Sequence, residues 1–212
     1  MHIAEGVLSV PVLITGAAIT AGATAIGLKK TDYDNIPATA MLCCVFFIAS
    51  LIHVPIGPSS VHLLMNGLLG ILLGWPAFLA ILVALVLQAV FFGFGGITSL
   101  GVNTAIMALP AVFVYYVFAG FLKSKHGAGF FFAGAAAGML SVGISSFLAA
   151  AALLFSGRDF LIAGKIIVIG HIPVMIIEGL ITGSVIVFLK KVKPELLTFS
   201  RKRLIPKEQT DG

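Results

Sequence analysis

The first two residues, Met1 and His2, place a free α-amine, one peptide nitrogen and one imidazole within reach of a single metal ion. Chelation by the amine and the His2 amide nitrogen closes a five-membered ring, and adding the His2 Nδ1 closes a fused six-membered ring. Three of four planar nitrogens would then come from two residues. The amine must be unprotonated and the peptide nitrogen must lose its proton. A divalent late transition metal can enforce this, and Mg²⁺ or Ca²⁺ cannot. A fourth ligand has to come from elsewhere. The segment from Ile52 to His62 carries two further imidazoles, His53 and His62, and both are open candidates at this stage.

The elements that must position these groups are membrane helices. Hydrophobic residues make up 59% of the 212-residue chain and charged residues 10%, and the mean hydropathy is +1.15. That composition points to an all-α, polytopic membrane protein and excludes a soluble domain. No Asp, Glu, Lys or Arg occurs from Ile36 through Leu122, or from Gly127 to Gly157, so several spans must follow one another. A cleavable leader is not expected: the start lacks a basic region and carries Glu5, so Met1 is expected to persist. Cys43 and Cys44 are adjacent in an apolar run and read as free thiols.

Breaking the chain at its polar, Gly and Pro clusters predicts about seven apolar segments, near Val7–Leu28, Ile36–Val54, Val61–Leu73, Pro76–Phe94, Asn103–Leu122, Ala128–Phe155 and Leu161–Leu189. The third is too short to span by itself, which leaves six spans with one broken helix as the competing count. Charge favours seven. With the N-terminus outside and the C-terminus inside, Lys29, Lys30, Lys123, Lys125 and the tail cations Lys190, Lys191, Lys193, Arg201, Lys202, Arg203 and Lys207 all lie inside. Only Arg158 and Lys165 remain outside. The chain thus reads as one transmembrane metal-binding domain, residues 1–212, with a short basic cytoplasmic tail over about 190–212. That tail is a topology determinant near anionic lipid and not a nucleic-acid site.

This orientation puts Met1, His2 and the His53–His62 segment on one face. The Gly-rich stretch from Gly93 to Val102 lies on the same face and reads as part of a pocket wall. It lacks the Lys that a phosphate loop would need.

Four stretches resemble the CbiM/NikM family, the substrate-capturing membrane subunits of energy-coupling-factor transporters for cobalt and nickel. They are Met-His-Ile-Ala-Glu-Gly-Val-Leu at the start, Pro-Ile-Gly-Pro-Ser-Ser-Val-His-Leu ending at Leu63, Gln88 to Asn103 with Phe-Gly-Phe-Gly-Gly-Ile-Thr-Ser-Leu-Gly-Val-Asn, and Gly170 to Gly179. The resemblance implies seven helices with an outside N-terminus. It also implies a metal held by the Met1 amine, the His2 amide nitrogen and imidazole, and His62. No further apolar segment follows Leu189, so the chain looks like the stand-alone CbiM type. The implied partners are a small CbiN-like membrane subunit, a CbiQ-like coupling subunit and a pair of CbiO-like ATPases. The cargo would be Co²⁺ for cobalamin synthesis, with Ni²⁺ as the alternative, taken up across the bacterial inner (plasma) membrane. No prosthetic group is implied, since the metal is the cargo.

Other polar residues have positioning or structural readings. Glu5 reads as fixing the N-terminal segment, and His53 as supporting the pocket or sitting at an interface. Asn66, Gln88 and Asn103 are candidates to orient a ligand imidazole or the N-terminal strand. His126 belongs to a basic inside loop. His171 and Glu178 share one face of the last helix but are about 10 Å apart along it, too far to share one ion. A structural hydrogen-bond role for Glu178 is favoured over metal ligation. Small residues at four-residue spacing, Gly134 and Gly138 in one span and Ala17, Ala21 and Ala25 in the first, predict close helix packing or a docking face.

The chain has no Gly-x-x-x-x-Gly-Lys-Ser/Thr loop and is not expected to hydrolyse ATP, so coupling must come from partners. Two other classes are weaker. An ion-coupled carrier needs more intramembrane ionisable groups than Glu178, and an intramembrane metalloenzyme needs an open metal position and a base, with no His-Glu-x-x-His present.

Overall fold

The computed structural model describes residues 2–56, 59–118 and 127–197. Helices dominate because an apolar chain in lipid must satisfy its backbone groups within each segment. The order is α1 (Val10–Lys29), α2 (Ile36–Leu51), β1 (His53–Ile56), β2 (Ser59–His62), α3 (Asn66–Leu73), α4 (Ala77–Phe92), α5 (Leu100–Phe118), α6 (Gly127–Ser156), α7 (Leu161–Gly170) and α8 (Ile172–Val192). Short 3₁₀ turns at Tyr33–Asn35 and Arg158–Phe160 precede α2 and α7. Among the described residues, five helical stretches are long and apolar enough to cross a membrane: Val10–Lys29, Tyr33–Leu51, Leu100–Phe118, Gly129–Ser156 and Arg158–Val192. The sixteen-residue α4 is apolar but shorter.

Each of the seven predicted apolar segments carries helix, with two corrections: Leu161–Leu189 is divided at His171 into α7 and α8, which takes His171 off the helix of Glu178, and the third segment is only partly helical. Val61–Leu73 does not form one helix. Val61 and His62 pair with Val54 and His53 in an antiparallel hairpin, and helix begins only at Asn66. β-branched Val54 and Ile56 flank Pro55 in β1, and Val61 stands opposite Val54 in β2; all three suit extended backbone. The eight residues of α3 rise only about 12 Å, well short of the roughly 30 Å apolar thickness of a bilayer. Every residue of α3 is buried, so it forms the core of the bundle rather than its wall.

Packing fixes which helix ends lie together. Lys30 sits over the Trp75 ring at 5.6 Å, and the Trp75 indole N–H donates to the Tyr116 hydroxyl at 2.8 Å. Lys190 lies over Phe130 at 3.3 Å. The ends of α1, α5 and α8, the start of α6 and the turn between α3 and α4 therefore share one end of the bundle. At the opposite end the Ser9 amide donates to Ser156 Oγ at 3.0 Å, joining the start of α1 to the end of α6. There, too, Gln88 near the end of α4 donates to the Phe47 carbonyl and to Ser50 near the end of α2. Lysines 29, 30, 190 and 191 thus gather at one end, and the hairpin, the Gly-rich loop and the N-terminal segment at the other.

Between α7 and α8 the rod is broken at His171. Pro173 has no N–H for the Ile169 carbonyl, and its ring crowds that turn. Below the break, α8 runs along the small ridge of α6. A Cβ on Gly183 would lie 2.7 Å from the Phe131 carbonyl oxygen, and one on Gly138 would lie 2.7 Å from the Glu178 carbonyl oxygen. Such small faces let helices approach closely in lipid, where apolar transfer between helices supplies no drive. By contrast, a Cβ on Gly22 in α1 would meet nothing within 4 Å. Gly183→Ala should therefore lower stability by about 1–3 kcal/mol, whereas Gly22→Ala should be neutral or stabilising by up to about 1 kcal/mol. Thermal unfolding of the two variants in detergent checks this contrast.

Candidate metal-capture site

Residues 2–9 are not helical, and Gly6, at φ 79°, supplies a left-handed turn that reverses the chain. Ser9 lies level with the last residue of α6, but Ile3 reaches Asn103 in α5. The adjacent Gly101 packs against Ala17, seven residues into α1. By helical rise the N-terminal segment is therefore threaded about 10 Å into the bundle. His2 is 7% exposed and Ile3 is fully buried.

A chain end inside an apolar bundle must have its peptide groups paired. Asn103 supplies both halves for Ile3: its Oδ1 accepts from the Ile3 amide at 2.9 Å and its Nδ2 donates to the Ile3 carbonyl at 3.1 Å. The Ser99 hydroxyl donates to the same carbonyl at 3.0 Å. The His2 amide points at Ser60 Oγ in β2, 3.4 Å away. The Gly-rich loop closes over the segment. A Cβ on Gly95, at φ 77°, would lie 2.7 Å from Asn103 Nδ2 and 3.6 Å from the His2 ring, so only glycine fits. Phe94 adds a ring 5.8 Å from that of His2.

The two imidazoles meet here. The rings of His2 and His62 are 4.6 Å apart between centroids and inclined by 31°. Each is held by the nitrogen it would not use for a metal. Gln88 donates from Nε2 to the Phe47 carbonyl and to Ser50 Oγ, which turns its Oε1 towards His2 Nε2 at 2.8 Å. A carbonyl oxygen only accepts, so Nε2 carries the proton and the lone pair resides on Nδ1, the nitrogen that closes a chelate with the His2 amide. His62 is the mirror case. Its Nδ1 donates to the Leu63 carbonyl at 2.8 Å, leaving the lone pair on buried Nε2, which has no hydrogen-bond partner among the described residues. Burial pushes the His62 pKa down to about 4, so its imidazole is neutral and ready to ligate at neutral pH.

The remaining sequence candidates fall in different places. Met1 lies outside the described residues, and so do His126 and the tail from residue 198. Glu5 lies against Gly96, and its Oε1 accepts a long 3.4 Å bond from the Thr98 amide, tying the N-terminal segment to the Gly-rich loop. His53 is opposite His62 in the hairpin register. Asn66 does not reach the imidazoles through its amide nitrogen, which donates to the Met107 carbonyl at 3.0 Å and Ser145 at 2.9 Å. Cys43 and Cys44 are free thiols. Ser60 and Ser99 escaped the sequence reading, since a serine in a polar loop carries no signal until its partner is known. Among the described residues no three His, Cys, Asp or Glu side chains converge as a metal-binding group.

Fold and site together define a polytopic helical membrane protein whose own N-terminal segment is buried beside a histidine from a re-entrant hairpin. The chain belongs to the CbiM family, described as the cobalt uptake substrate-specific transmembrane region, which matches residues 2–196. It is 40% identical over 199 residues to a "Putative metal transport protein" of Haemophilus influenzae, covering 93% of this chain and 97% of that one. It is 30% identical over 213 residues to "Cobalt transport protein CbiM" of Sorangium cellulosum, covering 93% and 94%. A solved structure, "Crystal Structure of an transition metal transporter", superposes with a TM-score of 0.79 at 28% identity over 95% of this chain and 99% of that one. The chain is thus a CbiM-type membrane protein of transition-metal uptake and not an enzyme.

The lowered pKa of His62 has a consequence for stability. Below about pH 6.5 the unfolded chain binds a proton that the folded chain refuses until about pH 4. Stability should therefore fall as pH drops through this window, by at most about 3 kcal/mol from this residue. In His62→Gln the fall in melting temperature between pH 6.5 and pH 4 should be smaller, as read by thermal unfolding in detergent.

Proposed function

We propose that this chain captures a divalent transition metal through the Met1 amine, the His2 amide nitrogen, His2 Nδ1 and His62 Nε2. The observation that carries the reading is the pairing of His2 with His62 at 4.6 Å, each ring tied through its other nitrogen to Gln88 or Leu63. Such ties fix the tautomer and aim of a ligating imidazole. The metal would take the place of the His2 amide proton now directed at Ser60. Co²⁺ is the proposed cargo, following the family, and serves cobalamin synthesis. Ni²⁺ is the alternative, because planar nitrogen coordination suits it.

The proposed topology has seven crossings, with the N-terminus outside and the C-terminus inside. Lysines 29, 30, 190 and 191 then face the cytoplasm, as the positive-inside rule favours, and the capture site faces out. The chain acts as one metal-binding transmembrane unit with a basic cytoplasmic tail in the bacterial plasma membrane. It is the substrate-specific subunit of an energy-coupling-factor transporter. A CbiQ-like coupling subunit, two CbiO-like ATPases and a small CbiN-like subunit complete the assembly. ATP hydrolysis in the partners reorients this subunit, and release follows when the N-terminal segment is drawn away from His62, because loss of one ligand of four breaks the planar set.

The test is a calorimetric titration with Co²⁺, Ni²⁺, Cu²⁺ and Zn²⁺ of the chain as it stands and of the same chain extended by two alanines before Met1. The extension keeps every side chain, moves the amine out of the fused chelate and sets the histidine fourth in the chain, where a terminal amine, two amides and the imidazole cannot close a new planar set. Tight one-to-one binding is expected in the first and a loss of at least about a hundredfold in the second, consistent with removing a ligand from a pre-organised site. Unchanged affinity would sink the proposal, and the metal ranking of the unextended chain decides between cobalt and nickel.

A further inference from the structure

Glu178 in α8 is fully buried, yet it lies outside the proposed donor set. Its Oε1 accepts from the backbone amides of Leu64 at 2.5 Å and Met65 at 2.7 Å. These two amides belong to the link between β2 and α3, directly after His62. Met65 holds φ 52°, a left-handed conformation that is strained for a non-glycine residue. The amides of Leu64 and Met65 are thus held from a distant element, α8.

The geometry is more specific than a tie. The Leu64 amide that Glu178 receives and the Leu63 carbonyl that His62 Nδ1 engages at 2.8 Å belong to one peptide unit. That unit is planar, so fixing its N–H fixes the direction of its C=O. The carbonyl in turn sets the rotation and tautomer of the His62 ring and hence the direction of the Nε2 lone pair. A rotated peptide would withdraw the acceptor from His62 and turn the Leu64 amide away from Glu178.

We infer that Glu178 is the positioning residue for His62, acting from α8 through the Leu63–Leu64 peptide. The inference rests on the reading of His62 as a metal ligand. It also makes α8 the element whose position holds or frees that ligand, so that moving α8 relative to the link would loosen the imidazole without any change at Met1 or His2.

The test uses Co²⁺ titrations of the full chain carrying Glu178→Gln, Glu178→Asp or Glu178→Leu, each also combined with His62→Ala, with thermal unfolding of every variant. Gln keeps the reach and an acceptor oxygen but no charge, whereas Asp keeps the charge and loses the reach. Glu178→Gln is expected to bind within about threefold of the parent, and Glu178→Asp and Glu178→Leu to lose about 10–100-fold, the usual cost of removing a ligand's orienting partner. In the His62→Ala background the Asp substitution should cost less than about threefold more, because its effect travels through the missing ring. Where Leu fails to fold, the Gln and Asp pair decides. Parent-like affinity in Glu178→Asp, tighter binding by Asp than by Gln, or an undiminished loss without His62 would overturn this inference alone. Intact binding in His62→Ala by itself would overturn the ligand reading and this inference with it.

Discussion

The rest of the structure depends on one constraint: a chain end carried into an apolar bundle must find a partner for every peptide group it brings. Asn103 and Ser99 meet Ile3 from α5 and the loop before it, and Ser60 faces the His2 amide from the hairpin. With the amide and carbonyl of Ile3 both held, the N-terminal segment can slide neither in nor out by a residue without breaking several buried bonds. That is what places a flexible terminus at a defined depth and makes a backbone nitrogen usable as a recognition group.

The second imidazole is delivered by an equally indirect route. His62 hangs from a hairpin that enters the bundle because α3 is too short to reach across it, and because α3 is buried on all sides its register cannot drift. Gly67 brings α3 against α6, where a Cβ would lie 2.7 Å from the Gly138 Cα. The same stretch of α6 receives Glu178 and Thr182 from α8. The link behind His62 and the close contact of α8 with α6 therefore share Glu178, so a shift of α8 along α6 is felt at the link that carries His62.

The chemistry of the pocket suits a borderline cation. The imidazole of His62 is held neutral by burial, and Glu5, the nearest acid on the N-terminal segment, is exposed and turned to the Gly-rich loop. A hard cation such as Mg²⁺ gains little from neutral nitrogens in a dry site, whereas a late transition metal gains ligand-field stabilisation from them. Selectivity in this reading comes from donor type and planarity and not from net negative charge.

Composition and charge-free runs were enough to determine membrane helices and their approximate limits, since lipid leaves the backbone no alternative to helix. Met1-His2 suggests a chelate from the chain alone because all of its donors are adjacent, and that expectation enters the proposed function as a proposal. The Gly-rich stretch before Asn103 was legible as a pocket wall from its glycines alone. What the sequence could not decide was anything set by contacts between distant segments. Val61 and His62 look like the start of an apolar helix until their pairing with Val54 and His53 is seen. Asn66, Gln88 and Asn103 look alike as buried amides, yet Gln88 turns its oxygen to His2 because Phe47 and Ser50 occupy its nitrogen, while Asn66 donates to Met107 and Ser145. Glu178 meets the Met65 amide across 113 residues of chain. Local propensity and hydropathy act over a few residues, but the partner of a buried polar group is whichever acceptor or donor the packed helices bring to it. Only the tertiary structure decides that.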